Sequence, residues 1–263
     1  MTSSAGSLYV GAAQVGISDS VTHNVRQITA AMARAAARGL ELLVLPEAAV
    51  TGYSPSIGRG RQRDEWPSIV EGLSLVATKC AELGLWVAVG SEAWTGEAWA
   101  NRTYVYSDLG ELAATYDKVH LTRSDHDYYV PGARATVFDL RGVKVGLQIC
   151  YDARFPEGYR ELVEQGAQVV LQGFYGAGGD TWKVPVLSAH LRSRAAENGC
   201  FVVACNVAGP LQIVASQIVD PLGLILAQAN QDREEIISAE VDLSLVDASE
   251  IRQEYLRRRG ARG

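Results

Sequence analysis

Three polar residues stand where apolar runs stop. The run VKVGLQI leads straight into Cys150, and the chain then turns through Tyr151, Asp152, Ala153 and Arg154 before Pro156 opens a helical pattern. LELLVL ends at Pro46 and Glu47, and LAATY ends at Asp117 and Lys118. In α/β folds the ends of buried strands open onto a crevice, and backbone donors point into it. A free thiol there has a pKa of about 8.5, so a working one needs a base or a positive field beside it. Glu47, with the apolar Ala48, Ala49 and Val50 behind it, is desolvated in the way that suits a general base. Lys118 is one of four lysines against twenty arginines, and it offers a compact point charge that a guanidinium fork does not. Each has a plainer reading when taken singly: a small buried hydrophobe, a loop carboxylate, a solvated amine. The residue types suit one chemistry if the fold brings them together: Glu47 would take the thiol proton, Cys150 would attack a carbonyl carbon, and Lys118 would meet the oxyanion. An amine would then leave, and water would hydrolyse the thioester. That scheme needs no cofactor.

The other candidates are weaker. Cys80 falls in an amphipathic helical pattern, and Cys200 and Cys205 bracket the apolar FVVA, so all three read as buried hydrophobes. Four scattered cysteines make neither a disulfide framework nor a C-x-x-C pair. His23, His120, His126 and His190 stand at no zinc-ligand spacing, so no metal site is expected. A thiol hydrolase using His120 or His190 as base is a competing reading, but it leaves Glu47 and Lys118 without a purpose. The run GFYGAGGDTW lacks the terminal Lys-Ser/Thr of a phosphate loop and reads as a flexible wall of a pocket.

The elements that must hold these residues alternate between two periods. Strand patterns occupy residues 8 to 14, 41 to 45, 85 to 90, 102 to 107, 111 to 116, 136 to 140, 143 to 149, 168 to 172, 200 to 206, 213 to 220, 224 to 228 and 235 to 241. Helical patterns occupy 21 to 38, 68 to 83, 156 to 165 and 183 to 198, each followed by glycine. DLG and DPLG mark hairpin turns. About twelve strands with interleaved helices predict one α/β domain over residues 1–263 with two mixed sheets. Residues 1–7 are expected to be a disordered N-terminus and 257–263 a flexible C-terminus. The net charge of -6 gives no general attraction to nucleic acid, and no apolar run approaches the roughly 20 residues that span a bilayer. With no secretory leader pattern at the start, the expected location is cytoplasmic.

LPEAAVTGY, YDKVHL and GLQICYDARFPE resemble the three signature segments of the nitrilase superfamily of carbon-nitrogen hydrolases. GAAQVG, YVPG, RAAENGCFVVACN and VDPLG extend the resemblance over nearly the whole chain. It implies a four-layer αββα sandwich and a triad of Glu47 as base, Lys118 as cation and Cys150 as nucleophile, with the Tyr151 backbone N–H in the oxyanion hole. It implies an amidase acting on a small linear carboxamide, such as an ω-amide of a dicarboxylic acid or an N-carbamoyl compound. Nitrilases and acyltransferases share the triad. It also implies a homodimer or larger assembly, with the helix after Pro156 and the C-terminal segment near the contact.

The chain departs from the family where many members carry a further glutamate before the PG of the lysine loop. In TRSDHDYYVPG either Asp125 or Asp127 stands in, and spacing favours Asp125. Tyr53, Arg154, Gln172, Phe174 and Tyr175 are the candidates for contact with substrate. Asn101, Arg194, Glu197 and Asn198 are read as buried partners of the scaffold, and Ser216 as structural.

Overall fold

The computed structural model describes residues 6–178 and 180–260. One sheet holds β1 (Ser7–Gln14), β2 (Leu42–Val44), β3 (Trp86–Trp94), β4 (Trp99–Tyr106) and β5 (Leu112–Asp117). The second holds β6 (Thr136–Leu140), β7 (Val143–Ile149), β8 (Val169–Gly173), β9 (Phe201–Cys205), β10 (Gln217–Val219) and β11 (Ile225–Gln228). The chain then returns to the first sheet as β12 (Glu235–Asp242), giving the orders β12-β1-β2-β3-β4-β5 and β11-β10-β9-β8-β7-β6. Each sheet is parallel at its centre, β1-β2-β3 and β7-β8-β9, and antiparallel outside it.

Parallel neighbours need a crossover, and helices fill these. The helices are α1 (Val21–Ala37), α2 (Ser54–Ile57), α3 (Trp66–Leu83), α4 (Pro156–Glu164), α5 (Lys183–Asn198), α6 (Ser244–Asp247) and α7 (Glu250–Gly260). Strand alternation then builds four layers. Val10, Leu42 and Val44 meet Leu147, Ile149 and Val203 between the sheets. Leu43 and Leu45 face the other way, onto Ile28, Met32 and Ile69 of α1 and α3. Val170 and Val202 likewise face Tyr159, Leu162 and Leu191 of α4 and α5. Each fully buried aliphatic side chain contributes roughly 1.5–3 kcal/mol. The architecture is the αββα sandwich.

Several expected bounds move. β3 runs on to Trp94 and pairs with β4 up to Trp94↔Trp99, so a hairpin occupies the stretch between the expected strands 85 to 90 and 102 to 107. Within the expected strand 213 to 220 only Gln217–Val219 is strand, because Ile213 N–H is bonded to Gly176 and Ser216 to the Gln14 side chain. Residues 257–260, expected to be a flexible end, continue α7, which is tied to α4 through Arg259–Glu164 at 2.8 Å and Arg160 over the Tyr255 ring at 4.4 Å. Ser7, placed in the expected disordered N-terminus, opens β1. The rest of those two terminal expectations, except Gly6, lies outside the described residues. Among the described residues no helix is long and apolar enough to cross a membrane.

The segment that carries Glu47 is closely flanked by its own sheet and by the opposite one. A Cβ on Gly90 would stand 2.4 Å from the Pro46 carbonyl oxygen, and one on Gly173 would stand 3.0 Å from the Glu47 nitrogen. Any side chain at Gly90 would push β3 away from the segment that carries Glu47.

Candidate active site

β2 delivers Glu47 and β7 delivers Cys150 to the same end of the sandwich, one from each sheet, while β5 delivers Lys118 from the edge. The carboxylate of Glu47 is fully used. Its Oε1 accepts from Lys118 Nζ at 2.8 Å and from Asn101 Nδ2 at 2.7 Å, and its Oε2 accepts from the Tyr175 backbone N–H at 2.8 Å. Lys118 is pinned through its backbone as well, with its N–H on the Asn101 carbonyl at 2.9 Å and its carbonyl on Gly132 N–H at 2.8 Å. The absent side chain of Gly132 matters there, since a Cβ would fall 2.2 Å from Asp117 O.

The Lys118 ammonium also pairs with Asp125 Oδ2 at 2.9 Å, and all three groups have no exposed side-chain surface. Asp125 takes a further bond from Thr122 N–H at 2.8 Å and one from the Tyr53 hydroxyl. Burial opposes the charge on Lys118, but Glu47, Cys150 and Asp125 outweigh it and hold the ammonium above its ordinary pKa. Burial also opposes the charge on Asp125, yet Lys118 and the Tyr53 hydroxyl hold its carboxyl below the usual range. Asp127, the alternative, is exposed.

Cys150 sits at the start of a 3-10 turn with φ 44°, in the left-handed region that costs a non-glycine residue roughly 1–2 kcal/mol. The surroundings hold it there. Asp152 Oδ2 accepts Ile149 N–H at 3.0 Å, Gln172 Nε2 donates to the Cys150 carbonyl at 3.3 Å, and Arg194 donates to the carbonyls of Ala153 and Arg154 at 3.2 and 3.3 Å. The charges of Glu47 and Lys118 both act on the thiol. Burial first, then the Glu47 charge, push its pKa well above the usual thiol value against the opposing pull of Lys118. The resting group is therefore a thiol, and it has a carboxylate beside it.

Cys150 opens onto a pocket of about 460 Å³ whose wall includes Tyr53, Tyr151, Arg154, Phe174 and Tyr175. Four of the five residues expected to contact substrate are on that wall. Gln172 is not. On β8 it shares the parity of Val170, which faces the α4–α5 layer, and its amide is spent on Tyr159 Oη at 2.5 Å and on the Cys150 carbonyl. It braces the turn from behind and does not line the cavity. Trp182, the last residue of the run read as a pocket wall, is on it, as are Arg123 and Lys183, two cations outside that reading. Neither His120 nor His190 is on this wall, and His120 Nδ1 is engaged by Asp152 Oδ1 at 2.8 Å.

The carbon-nitrogen hydrolase family pattern matches residues 9–250. This chain belongs to the carbon-nitrogen hydrolase family. It is 34% identical over 223 residues to the 2-oxoglutaramate amidase of Bacillus subtilis (strain 168), covering 81% of this chain and 82% of that protein. It is 30% identical over 219 residues to a nitrilase of Pyrococcus abyssi (strain GE5 / Orsay), covering 81% and 80%. Among solved structures, Saccharomyces cerevisiae Nit3, a member of branch 10 of the nitrilase superfamily, superposes with a TM-score of 0.80 at 25% identity, covering 95% of this chain and 94% of that one. This carbon-nitrogen hydrolase is thus of the amidase-like branch of the nitrilase superfamily, whose reaction depends on a cysteine.

Proposed function

We propose that the protein hydrolyses a small carboxamide with a carboxylate at its far end, an ω-amide of a dicarboxylic acid, through a thioester on Cys150. The observation that carries this reading is the buried contact of Lys118 Nζ with Glu47 Oε1 at 2.8 Å, at the same end of the sandwich as Cys150 on the pocket wall. Glu47 takes the thiol proton as sulfur adds to the amide carbon. The oxyanion is met by the Lys118 ammonium and the Tyr151 backbone N–H, each such donor being worth on the order of 3 kcal/mol in the transition state. The tetrahedral species collapses, and ammonia leaves with the proton returned from Glu47. The same carboxylate then deprotonates water, which adds to the thioester; the acid departs and sulfur recovers its proton.

Arg123 and Arg154 on the wall support a distal carboxylate, with Lys183 there already paired with Asp180, as does likeness to an amidase of 2-oxoglutaramate. Likeness to a nitrilase supports a second reading, in which the same triad attacks a nitrile. Phe174 and Tyr175 would pack against the aliphatic part of either substrate. A screen of ω-amides, simple aliphatic amides, N-carbamoyl amino acids and nitriles with ammonia detection separates these, and ω-amides are expected to give the highest kcat/KM. Intact-mass spectrometry of enzyme quenched during turnover should show an acyl adduct on Cys150. An adduct on Cys80, Cys200 or Cys205 with Cys150 untouched would overturn the assignment. In assembly, α4 and α7 supply the contact of a homodimer in this reading; sedimentation as a monomer at micromolar concentration would refute that.

A further inference from the structure

Glu92 is a carboxylate inside a buried strand, with no exposed surface and no place in the chemistry above. It lies on β3 directly across from Asn101 of β4, the residue whose amide holds Glu47 Oε1. Its Oε1 accepts the Ser54 backbone N–H at 2.9 Å and the Tyr129 hydroxyl. Its Oε2 has no hydrogen-bond partner, and Arg61 Nε stands 3.6 Å away. Burying a carboxylate so incompletely paired costs several kcal/mol. A leucine there would be the cheaper choice for packing alone.

What the carboxylate secures is the segment that follows Glu47. Val50 N–H is bonded to the Gly90 carbonyl at 3.0 Å, Glu92 N–H to Thr51 Oγ1 at 3.1 Å, and Ser54 N–H to the Glu92 side chain, so β3 grips this loop at three successive points. Gly52 and Tyr53 are the residues between the last two. The Tyr53 hydroxyl donates to Asp125, its ring lies 5.6 Å from Lys118 Nζ, and it packs against Tyr129 at 6.2 Å and Tyr175 at 5.1 Å between ring centres. Glu92 thus fixes both the backbone next to Tyr53 and the phenol of the ring stacked on it.

We propose that Glu92 is a positioning residue for the Lys118–Asp125 pair and acts through Tyr53. The proposal rests on the catalytic reading of Lys118 and goes beyond it by naming what holds the far side of its carboxylate partner. Without Glu92 the Ser54 N–H and the Tyr129 hydroxyl lose their common acceptor. Tyr53 then shifts, and Asp125 no longer meets Lys118 in one fixed geometry.

The test is a double-mutant cycle on the full chain. Glu92→Ala should lower kcat on the order of ten- to a hundredfold, the scale on which a misplacement of about 1 Å acts. In a Tyr53→Phe background, where the hydroxyl that reaches Asp125 is already gone, the same change should cost much less, whereas a merely structural role would cost the same factor in both. Glu92→Gln, which keeps an acceptor for both donors, should restore most of kcat. If Glu92→Ala does not accumulate as folded protein, Tyr129→Phe carries the same cycle. Equal losses in the two backgrounds, or wild-type kcat in Glu92→Ala, would overturn the proposal. Cys150→Ala is run alongside: turnover persisting there overturns the catalytic reading itself, whereas an inactive Cys150→Ala with an additive cycle removes only Glu92.

Discussion

Asp152 Oδ2 accepts the Ile149 N–H at 3.0 Å, closing the turn in which Cys150 holds φ 44°. The same carboxylate accepts Tyr116 Oη at 2.9 Å and, through Oδ1, the His120 backbone N–H at 2.8 Å. Tyr116 and His120 flank Lys118 on either side, two residues away. One carboxylate therefore ties the turn carrying the thiol to the segment carrying the ammonium. Asp152→Ala leaves several buried donors unpaired at about 1–3 kcal/mol each, so a marked loss of Tm and of kcat is expected. Asp152→Asn should retain the fold better and still lower kcat, because its NH2 group must face one of these donors. Wild-type kinetics in Asp152→Asn would show that the two segments need no such tie.

The titrating groups predict how stability depends on pH. Burial pushes Cys80 and Cys200 up to about 12 from an ordinary 9.0, and raises Cys150 and Cys205 as well. It also raises Tyr53, Tyr116, Tyr129 and Tyr159. Folded protein keeps these protons while the unfolded chain releases them as pH passes about 9, so the unfolded state binds fewer protons and stability falls as pH rises. Lys118, held above its ordinary 10.5, acts in the same direction higher up. Tm followed from about pH 7 to about pH 10 should decline, and less steeply in Cys150→Ala. A Tm that stays level or climbs over that range would contradict the burial of these groups.

Much of the architecture was legible because it rests on alternation. Val10, Ala12, Leu42 and Val44 face one layer while Leu43 and Leu45 face the other, a pattern of period two visible in the letters. The misses have physical causes. Ser91 and Glu92 interrupt the apolar run of β3, so its second half and the hairpin to β4 were silent. α7 has no long apolar stripe: it sets Leu256 against the α4–α5 core, and charge and ring contacts tie it to α4. Gln172 lies behind the wall and not on it, because its parity within β8 turns it toward Tyr159 and the helices. Glu47, Lys118 and Cys150 were each visible at a strand end. Their meeting was not, since it requires two sheets to pack face to face, and it was the resemblance of their three segments to one family that joined them.

Lys118→Arg should be nearly as damaging as Lys118→Ala. The ammonium fits between Glu47 Oε1 at 2.8 Å and Asp125 Oδ2 at 2.9 Å with no exposed surface, and a planar guanidinium cannot enter that space without displacing a carboxylate. Lys118→Ala additionally leaves two buried carboxylates without their cation, a loss of about 3–5 kcal/mol in stability. The comparison is of kcat on the best amide, with Tm measured on both variants. If Lys118→Arg keeps most of its kcat, Lys118 is only a source of positive field and contributes no oriented donor.

Asp125 tests the place where the chain departs from its family. An aspartate is one methylene shorter than the glutamate many members carry, about 1.5 Å of bond length, and the backbone must come closer to compensate. The 3-10 turn at Asp125–Asp127, pinned by Thr122 N–H on the Asp125 carboxylate, brings it close enough for the 2.9 Å contact with Lys118. In the proposed scheme the carboxylate holds the ammonium and takes no proton from sulfur. Asp125→Asn should therefore lower kcat/KM on the order of tenfold or more while iodoacetamide still labels Cys150. Asp127→Asn, at an exposed position, should stay near wild type. Wild-type kinetics in Asp125→Asn would mean that Glu47 alone orients Lys118, and loss of labelling would mean that Asp125 shares in deprotonating the thiol.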